Sequence, residues 1–298
     1  MYDICCVGHI TSDKVVNTRS VNYMPGGTAF YFSYALSNLD VNYLLVTSLA
    51  VQDMNYVADM ENNGINVKAY TSAQTVFFEN IYAENQDERT QNVLQKADPF
   101  NIGQFDGIES RIFHLGPLLA DDISSDLVKM LSEKGRISLD IQGYLRKVEN
   151  KKVYATDWPD KKEVLQYVDI LKADVAELKA LTGCDTVEKG VKILLDWGVK
   201  EAVVTNGSQG SLIYGDGSFY TIPAYSPLLI VDATGCGDTY MAGYLFQRVK
   251  NVAIPEAGKF AAGMSGLKTG TQGPFTGTEE EIKLFLEEFP AGKGGFKL

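Results

Sequence analysis

Short apolar runs rich in β-forming residues alternate with helical patterns along most of this chain, and this alternation constrains the fold more than any other feature. Such an alternation is typical of a mostly parallel sheet with crossover helices on its faces. The apolar runs predict strands at 4–7, 43–48, 111–115, 137–141, 168–172, 202–205 and 228–231. The helical patterns predict helices at 29–39, 124–134, 175–182, 187–197, 237–249, 255–269 and 279–289. The sequence therefore predicts an α/β fold.

Polar or small residues follow several of the predicted strands. These residues are Gly8, Gly116, Asp140, Asn206 and Asp232. Ligands of open α/β sheets bind beyond the carboxyl ends of the strands. We therefore expect the chemistry of this chain to lie at that edge of the sheet.

The segment 67–97 does not fit the alternation, because two β-like stretches follow each other there with no helical pattern between them. This pattern predicts an antiparallel hairpin with a polar turn at 84–88. Together with segment 14–25, we expect it to form a small β lid over a cleft or a surface that pairs two subunits. An edge hairpin of the main sheet is the alternative. The whole chain, 1–298, is expected to form one domain.

Composition excludes several classes of function. The net charge of −11 argues against a basic surface for nucleic acid. With four cysteines, no Cys-x-x-Cys pair and two histidines, a zinc site is not expected. The chain shows neither a signal-peptide pattern nor an apolar stretch long enough to span a membrane. We therefore expect a cytoplasmic protein with no membrane or nucleic-acid partner.

The strongest chemical signal is the segment 231–243, in which an apolar run ends at Asp232, a Gly-x-Gly turn follows and a helical pattern begins. Backbone amides of Gly235, Cys236 and Gly237 at a helix N-terminus would form a cradle for an anion. Asp238 follows in the first helical turn, where a carboxylate stays ionised and can accept a proton from a hydroxyl that attacks a cradled phosphate. A Gly-rich turn with Asp238 as an ordinary capping residue is the alternative.

Three other loop types are excluded by spacing. The Gly235-x-Gly237 turn lacks the third glycine of a dinucleotide fingerprint. The chain contains neither the Gly-x-x-x-x-Gly-Lys-Ser/Thr pattern of a P-loop nor the Gly-x-Ser-x-Gly pattern of a nucleophile elbow.

The stretch Asp232-Ala-Thr-Gly-Cys-Gly-Asp238 resembles the Asp-Thr-x-Gly-Ala-Gly-Asp signature of ribokinase-like (PfkB) carbohydrate kinases, with Ala233 and Cys236 as small replacements. The resemblance extends through nearly the whole chain. It includes the first strand with Gly8 and Asp13, the Pro-Gly-Gly stretch ending at Gly27, and the Thr-x-Gly-x-x-Gly loop from Thr205 to Gly210. It implies a three-layer fold with a mostly parallel central sheet flanked by helices and a small β lid.

The resemblance also implies a role for each matching residue. Asp238 would be the catalytic base, and Gly235, Cys236 and Gly237 the anion hole. Asp13, Gly26 and Gly27 would bind the substrate, and Thr205, Gly207 and Gly210 would flank ATP. Asp232 and Thr234 would help to hold a monovalent cation such as K⁺, which many members of the family use.

One family motif departs from its usual form. Family members carry Asn-x-x-Glu, which organises Mg²⁺ and its waters, whereas this chain has Asp174 and Glu177. The added carboxylate can still order Mg²⁺ waters. The same spacing is also that of a helix capping box, and both functions can coexist.

Two further residues follow strands and are candidates for substrate binding. His114 lies near the end of its strand, and a core or capping histidine is the alternative. Gln142 belongs to a loop with Asp140 and Arg146 that can meet substrate or phosphate, or can be stabilised by its own polar groups.

The resemblance therefore implies an ATP- and Mg²⁺-dependent kinase acting on a hydroxyl of a sugar or polyol such as fructose, ribose or an inositol. A nucleoside or hydroxymethyl-pyrimidine kinase on the same fold is one alternative. A non-catalytic ligand-binding regulator is another. A base beside an intact anion cradle argues against the regulator, since binding alone does not need one.

Overall fold

The computed structural model describes residues 1–16, 20–82 and 89–289. The predicted polar turn at 84–88 and part of the predicted lid segment 14–25 lie outside the described residues. The strands are β1 Tyr2–Val7, β2 Thr11–Val16, β3 Val21–Gly26, β4 Tyr43–Leu49, β5 Val67–Thr71, β6 Val76–Tyr82, β7 Arg89–Gln95, β8 Ser110–Leu115, β9 Arg136–Asp140, β10 Arg146–Glu149, β11 Lys152–Ala155, β12 Ile170–Asp174, β13 Glu201–Thr205, β14 Ser211–Gly215 and β15 Ser218–Ile222. The α-helices are α1 Thr28–Leu36, α2 Asn55–Asn62, α3 Ser125–Ser132, α4 Lys161–Leu165, α5 Val175–Thr182, α6 Val187–Asp196, α7 Cys236–Val249, α8 Ile254–Thr269 and α9 Glu279–Glu288.

The main sheet has nine strands in the order β15-β14-β13-β12-β9-β8-β1-β4-β5 within the described residues. The strands from β13 to β5 are mutually parallel, and β14 and β15 add an antiparallel hairpin at one edge. The predicted α/β fold with a mostly parallel sheet is confirmed.

Both faces of the main sheet are covered, which explains why its strands are almost continuously apolar. Successive residues of β1 point to opposite faces. Ile4 and Cys6 pack in a cluster with α1, α7 and α8. Cys5 and Val7 pack in a second cluster with α3, α5 and α6. The result is three layers, helix on sheet on helix.

A second sheet has six strands in the order β10-β11-β7-β6-β2-β3. The predicted lid segment 67–97 divides between the two sheets, because β5 pairs in parallel with β4 in the main sheet. Only β6 and β7 of that segment join β2 and β3. The hairpin of β10 and β11, which the sequence did not predict, extends the second sheet beyond β7.

The prediction of a strand at 228–231 is wrong. These residues form an irregular segment, and their side chains are exposed, from 52% for Val231 to 95% for Leu228. The strand that precedes this segment in the chain, β15, already forms the edge of the main sheet, where it pairs with β14. An apolar run without a partner strand therefore stays outside the sheet.

No helix within the described ranges has both the length and the apolar character that crossing a bilayer requires.

Candidate active site

The carboxyl ends of the parallel strands meet at one edge of the main sheet and bring the predicted polar residues together. Lys172 of β12 stands beside Asp140 of β9 in the strand register. Asp174, two residues further along, stands beside Thr205 of β13. Asp140, Asp174 and the predicted nucleotide loop that begins at Thr205 thus lie along the same stretch of the edge.

The turn at 235–238 has the backbone geometry that an anion cradle requires. Gly235 has φ 74°, in the left-handed region, and a Cβ at this position would overlap the ring of Tyr31. The N–H of Cys236 is used inside the turn, where it donates to the carbonyl of Ala233 at 3.2 Å. The described part of the chain provides no acceptor for the N–H groups of Gly237 and Asp238. These two amides, at the start of the 14-residue helix α7, are therefore the ones that can receive an anion.

Asp238 is partly buried in the first turn of α7, next to other carboxylates. Burial raises the pKa of Asp238 to about 6, and the negative charge of Asp140 adds to this rise. The charge of Lys172 and a hydrogen bond from the Thr28 side chain act in the opposite direction. A carboxylate with this pKa is ionised at neutral pH and is more basic than an ordinary aspartate.

Lys172 is the cation at the centre of this carboxylate cluster, and the sequence analysis missed it. Its Nζ lies 2.9 Å from Asp140 Oδ2 and 3.7 Å from Glu177 Oε2. A Cβ built on Gly237 would lie 3.5 Å from the same nitrogen, so the ammonium group lies close to the anion cradle. Although burial alone would lower it, the carboxylates of Asp140, Glu177 and Asp238 raise the pKa of Lys172 above its ordinary value. The lysine is therefore a fixed positive charge at the site.

Glu177 and Asp174 form the capping box of α5. Asp174 Oδ1 accepts from the N–H of Glu177, and Glu177 Oε2 accepts from the N–H of Asp174, both at 2.7 Å. Gln142 Nε2 donates to Glu177 Oε1 at 3.2 Å, which places the predicted substrate residue Gln142 in the carboxylate cluster.

The same carboxylates fit a magnesium ion that is held mainly by phosphates and water. Each carboxylate oxygen of Glu177 has a second lone pair beyond the bonds just described. Mg²⁺ keeps several of its waters and takes few carboxylate ligands when it binds with a phosphate substrate. Contact through water at Glu177 and Asp174 is compatible with the cap geometry.

The acceptor side of the cleft is built by β2, β3 and the loop before α1. A Cβ at Gly26 would lie 2.7 Å from Asp13 Oδ2 and 3.0 Å from Thr11 Oγ1, so these two side chains converge on the glycine backbone. Gly27 has φ 92°, which lets the chain turn from β3 into α1. The hydroxyl of Thr11 is buried and has no hydrogen-bond partner among the described residues. The predicted residues Asp13, Gly26 and Gly27 thus lie together, and Thr11 joins them.

The second sheet presents further polar groups on the face that carries Asp13. Strand register places Phe78 beside Asp13 and Asn80 beside Gln91. The Gln91 amide donates to Asn80 Oδ1 at 2.9 Å, and Asn80 is only 6% exposed. The ring of Phe78 is packed in a small apolar cluster.

His114 was predicted to bind substrate, and it lies in the protein core, within range of the charges of Asp140 and Lys172. It is fully buried, stacks on Phe32 at 4.3 Å between ring centroids, and has Nδ1 3.0 Å from Ser138 Oγ. Burial lowers the pKa of His114 to about 4, so the ring is neutral. The alternative of a core histidine describes it correctly.

The predicted nucleotide loop lies on the surface after β13. Gly207 and Gly210 both have positive φ, 50° and 90°, and a Cβ at Gly210 would overlap the carbonyl of Ile222. Asn206 N–H donates to the Gly210 carbonyl at 2.8 Å and closes the loop. Thr205, at the end of β13, is half-buried at the cleft.

The predicted cation residues Asp232 and Thr234 lie beside a lysine, because the ammonium group of Lys268 is bonded to Asp232. Lys268 Nζ donates to the backbone carbonyl of Asp232 at 2.9 Å and to its Oδ2 at 3.0 Å. The other carboxylate oxygen, Oδ1, accepts from the N–H of Thr234 at 2.9 Å. The oxygens of Asp232 are thus committed to donors that the chain itself supplies.

Comparison with known proteins identifies the family. The sequence profile of the pfkB family carbohydrate kinases matches residues 119–281, more than half of the chain. The chain therefore belongs to this family and is a phosphotransferase that acts on a hydroxyl acceptor. This result also confirms the resemblance drawn from the Asp232–Asp238 motif.

The most similar solved structures include a pyrophosphate-dependent kinase of the ribokinase family, complexed with a pyrophosphate analog and myo-inositol. It is 29% identical with a TM-score of 0.84, and the match covers 94% of this chain and 99% of that one. A ribokinase from Arabidopsis thaliana with ribose and ATP shares the fold at 19% identity and a TM-score of 0.80, over 96% of this chain and 99% of that one. Among curated proteins, a cytidine kinase from Thermococcus kodakarensis is 27% identical over 82% of this chain and 88% of its own length.

Proposed function

We propose that this enzyme transfers the γ-phosphate of ATP to a hydroxyl of a cyclic polyol or sugar, with Asp238 as the general base. The observation that carries the proposal is the position of Asp238, between the free amides that open α7 and the carboxylate–lysine cluster. The raised pKa of about 6 gives this carboxylate proton affinity without keeping it protonated at pH 7.

The chemistry requires only positioning, charge stabilisation and one base. The acceptor hydroxyl gives its proton to Asp238 as its oxygen bonds to the γ-phosphorus, and the bond from that phosphorus to the β–γ bridging oxygen breaks to release ADP. The amides of Gly237 and Asp238 and the ammonium group of Lys172 face the charge that develops on the phosphoryl oxygens. Bound Mg²⁺, ordered through water by Glu177 and Asp174, would supply further neutralisation of phosphate charge.

The polar groups of the cleft support a polyol acceptor. Asp13, Thr11, Asn80, Gln91 and Gln142 offer hydrogen-bond donors and acceptors from several directions, which suits a compact molecule with many hydroxyls. The similarity to a kinase bound to myo-inositol agrees with this assignment. A nucleoside is the second candidate, on the similarity to cytidine kinase. The packed ring of Phe78 favours the polyol, because its faces are not free to stack on a base.

Two observations bear on the phosphoryl donor. The similarity to a pyrophosphate-dependent kinase favours pyrophosphate. The exposed apolar side chains at 228–231, which lead directly into the motif at Asp232, favour ATP, because a purine ring needs apolar surface and pyrophosphate has no group to use it. The resemblance of the Thr205–Gly210 loop to a nucleotide loop agrees with ATP, and we take ATP as the donor.

The outer face of the second sheet supports pairing of two subunits. Strand register puts Val21, Tyr23, Ile81 and Tyr154 on this face, and each is between 36% and 66% exposed. Apolar groups gathered on one sheet face are typical of an interaction surface.

Light scattering of the wild-type protein and of the variant Tyr23→Glu tests this pairing. A dimer is expected for the wild-type protein and a weakened dimer for the variant. A strict monomer at micromolar concentration would contradict the proposed pairing of subunits but not the proposed lid. Both the lid role and a cytoplasmic location stay predictions.

A matrix of donors and acceptors tests the function. The purified protein is assayed with Mg²⁺ and either ATP or pyrophosphate against myo-inositol, fructose, ribose, cytidine and adenosine, with the phosphorylated product measured directly. The highest kcat/KM is expected with ATP and a polyol or sugar. A preference for cytidine or adenosine would replace the acceptor, and turnover with pyrophosphate alone would replace the donor.

A double variant in the apolar segment 228–231 tests whether ATP is the phosphoryl donor. Leu228→Ser combined with Ile230→Ser should raise KM for ATP by about 10-fold, the effect of removing about 1.4 kcal/mol of apolar contact. KM for the acceptor should stay unchanged. Lys200→Ser, a surface change at the opposite end of β13, is the matched control and should change neither constant. An unchanged KM for ATP in the double variant would show that the apolar segment does not bind the donor.

A further inference from the structure

Lys268 is a buried lysine behind the catalytic turn that no part of the proposed reaction uses. It lies in the last turn of α8 and is fully buried. Its ammonium group donates to the carbonyl of Asp232 at 2.9 Å and to Asp232 Oδ2 at 3.0 Å. Burying a charge is costly unless it is paired and hydrogen-bonded, so a lysine held in this way needs a reason.

The ammonium group anchors the turn that leads to the anion cradle. Asp232 accepts from Lys268 and from the N–H of Thr234, and its own N–H donates to the carbonyl of Thr269 at 3.2 Å. The N–H of Gly273 also approaches Asp232 Oδ2, at 3.4 Å. Three residues after Asp232, Gly235 begins the cradle. A positive charge at Lys268 thus fixes the backbone that positions the amides of Gly237 and Asp238.

A free monovalent cation does not fit at these oxygens. An ion such as K⁺ binds by exchanging its water for carbonyl and carboxylate oxygens. The oxygens of Asp232 that face Lys268 are already bonded to its Nζ, and a second positive charge beside the ammonium group would be repelled. An ammonium group and K⁺ carry the same single charge, so the lysine can perform the same electrostatic task from within the chain.

We propose that the Lys268 ammonium group is a built-in monovalent cation, which organises the Asp232–Asp238 turn and makes the kinase independent of K⁺ or Na⁺. This proposal rests on the proposed kinase function for its activity readout. It reverses the expectation, drawn from the resemblance, that Asp232 and Thr234 help to hold K⁺.

The first experiment uses the wild-type protein. Its rate is measured in K⁺, Na⁺ or NH₄⁺ chloride from zero to 100 mM, with tetramethylammonium chloride keeping the ionic strength constant. We expect less than a twofold change. Activation of several-fold by K⁺ would overturn the proposal, because it would require a cation that Lys268 does not replace.

The second experiment empties the site. Lys268→Ala removes the side chain beyond Cβ, including the ammonium group that is bonded to the carbonyl and carboxylate of Asp232. In tetramethylammonium we expect the rate of this variant to fall at least 10-fold, and K⁺ or NH₄⁺ should restore much of it with saturation. The melting temperature of the variant should rise with the same ions, while that of the wild-type protein should not. Loss of activity without any ion-specific recovery, in a folded variant, would mean that Lys268 is only a structural ion pair.

Arg248→Ala is the matched control. Arg248 forms a buried ion pair with Glu201 at 2.7 Å near the other end of α7, away from the cradle. Its loss should lower the melting temperature with no ion-specific recovery. Recovery of this variant by K⁺ as well would overturn the assignment to Lys268. If the wild-type protein phosphorylates nothing, the kinase function fails, and the melting temperatures still decide whether the emptied site takes up a cation.

Discussion

Two buried lysines flank the turn at 235–238, and they differ in what surrounds them. Lys172 lies in the strand β12 and faces the carboxylates of Asp140, Glu177 and Asp238. Lys268 ends a helix and faces one carboxylate and one backbone carbonyl, both from Asp232. The first lysine acts on groups whose charge changes during phosphoryl transfer, and the second acts on a backbone that has to stay in place.

The comparison indicates that the two ammonium groups have different roles at the same anion cradle. In front, the ammonium group of Lys172 lies where donor phosphates and the base meet, so it affects proton affinity and the charge of the transition state. On the other side of the turn, Lys268 takes the place of a monovalent cation and holds the backbone of the Asp232–Asp238 turn in position. We expect substitutions at the front to change the pH profile and those at the back to change the response to salts.

The largest effect is expected from Asp238→Asn, which removes the base while keeping its size. A positioned general base contributes about 100- to 10,000-fold in rate, and kcat at saturating substrates should fall by a factor in that range. The measurement is kcat at pH 7.5, together with an ATP titration that should show nearly unchanged affinity. If the variant keeps more than about a tenth of the wild-type rate, Asp238 is not the base.

The next effect is expected from Lys172→Met, which removes the front charge and keeps the length of the side chain. Loss of a preorganised charge that faces the transition state typically costs about 100- to 1,000-fold in kcat. The rate of the wild-type protein should fall on the acid side with an apparent pKa of about 6, when Asp238 becomes protonated. Because Lys172 lowers the pKa of Asp238, the acid limb of the variant should move to higher pH.

Lys172→Arg is the control for this prediction, since it keeps the charge and should leave the acid limb close to its original pH. A variant Lys172→Met that is slower with an unmoved acid limb would mean that the lysine binds phosphate without affecting the base. The contrast between the two lysines would then weaken. Lys268→Ala should leave the acid limb close to its original pH, because burial and the nearby groups Asp140, Lys172, Thr28 and Glu177 chiefly set the pKa of Asp238.

The sequence indicated much of this site because Gly and Asp residues follow the apolar runs that predict strands. Asp140 was found in this way, Asp232 and Asp238 were found from the Gly-x-Gly turn between them, and Thr205 was found from the resemblance of its loop. Helix α5 has the predicted bounds, Val175–Thr182. Both lysines were missed, because lysine usually lies on the surface. The available signal was their context: Lys172 interrupts the buried run of β12, and Lys268 follows an apolar, Gly-rich stretch of α8.

Other features depended on tertiary structure that no local pattern contains. The burial of His114 is set by stacking on Phe32, which comes from a helix far away in the sequence. The exposure of Leu228 and its neighbours follows from the absence of a vacant strand position beside them. The bond between Lys268 and Asp232 joins residues 36 positions apart.

The predicted lid segment 67–97 included β5, which the structure places in the main sheet. Val67–Thr71 has the composition of a strand, but composition does not tell which sheet it joins. The parallel pairing with β4, which follows from the short helix α2 between them, decided this.

The smallest effect is a difference in the pH dependence of stability between the two sites. The pKa of Asp238 is raised to about 6 in the folded protein, above its unfolded value of about 3.9. Its ionisation therefore disfavours folding, and the stability present below about pH 4 is lost as the pH rises through 6. The pKa of Asp232 is lowered: burial opposes this, but hydrogen bonds from Thr234 and Lys268 outweigh burial. Its ionisation favours folding, and that stability is lost as the pH falls below the ordinary aspartate range.

Asp238→Asn and Asp232→Asn should therefore change the melting temperature in opposite directions. At pH 8, Asp238→Asn removes a penalty of up to about 3 kcal/mol, less where solvent screens the charge, and should melt a few degrees above the wild-type protein. Asp232→Asn should melt below it at pH 8, because Lys268 is left without its carboxylate. The Asp238→Asn difference should vanish as the pH falls below about 4, where the wild-type carboxyl is protonated in both folded and unfolded states. Melting curves from about pH 3 to pH 8 measure both differences. If the two variants shift in the same direction at pH 8, the carboxylates at the front and the back have the same electrostatic role, and the distinction between Lys172 and Lys268 is wrong.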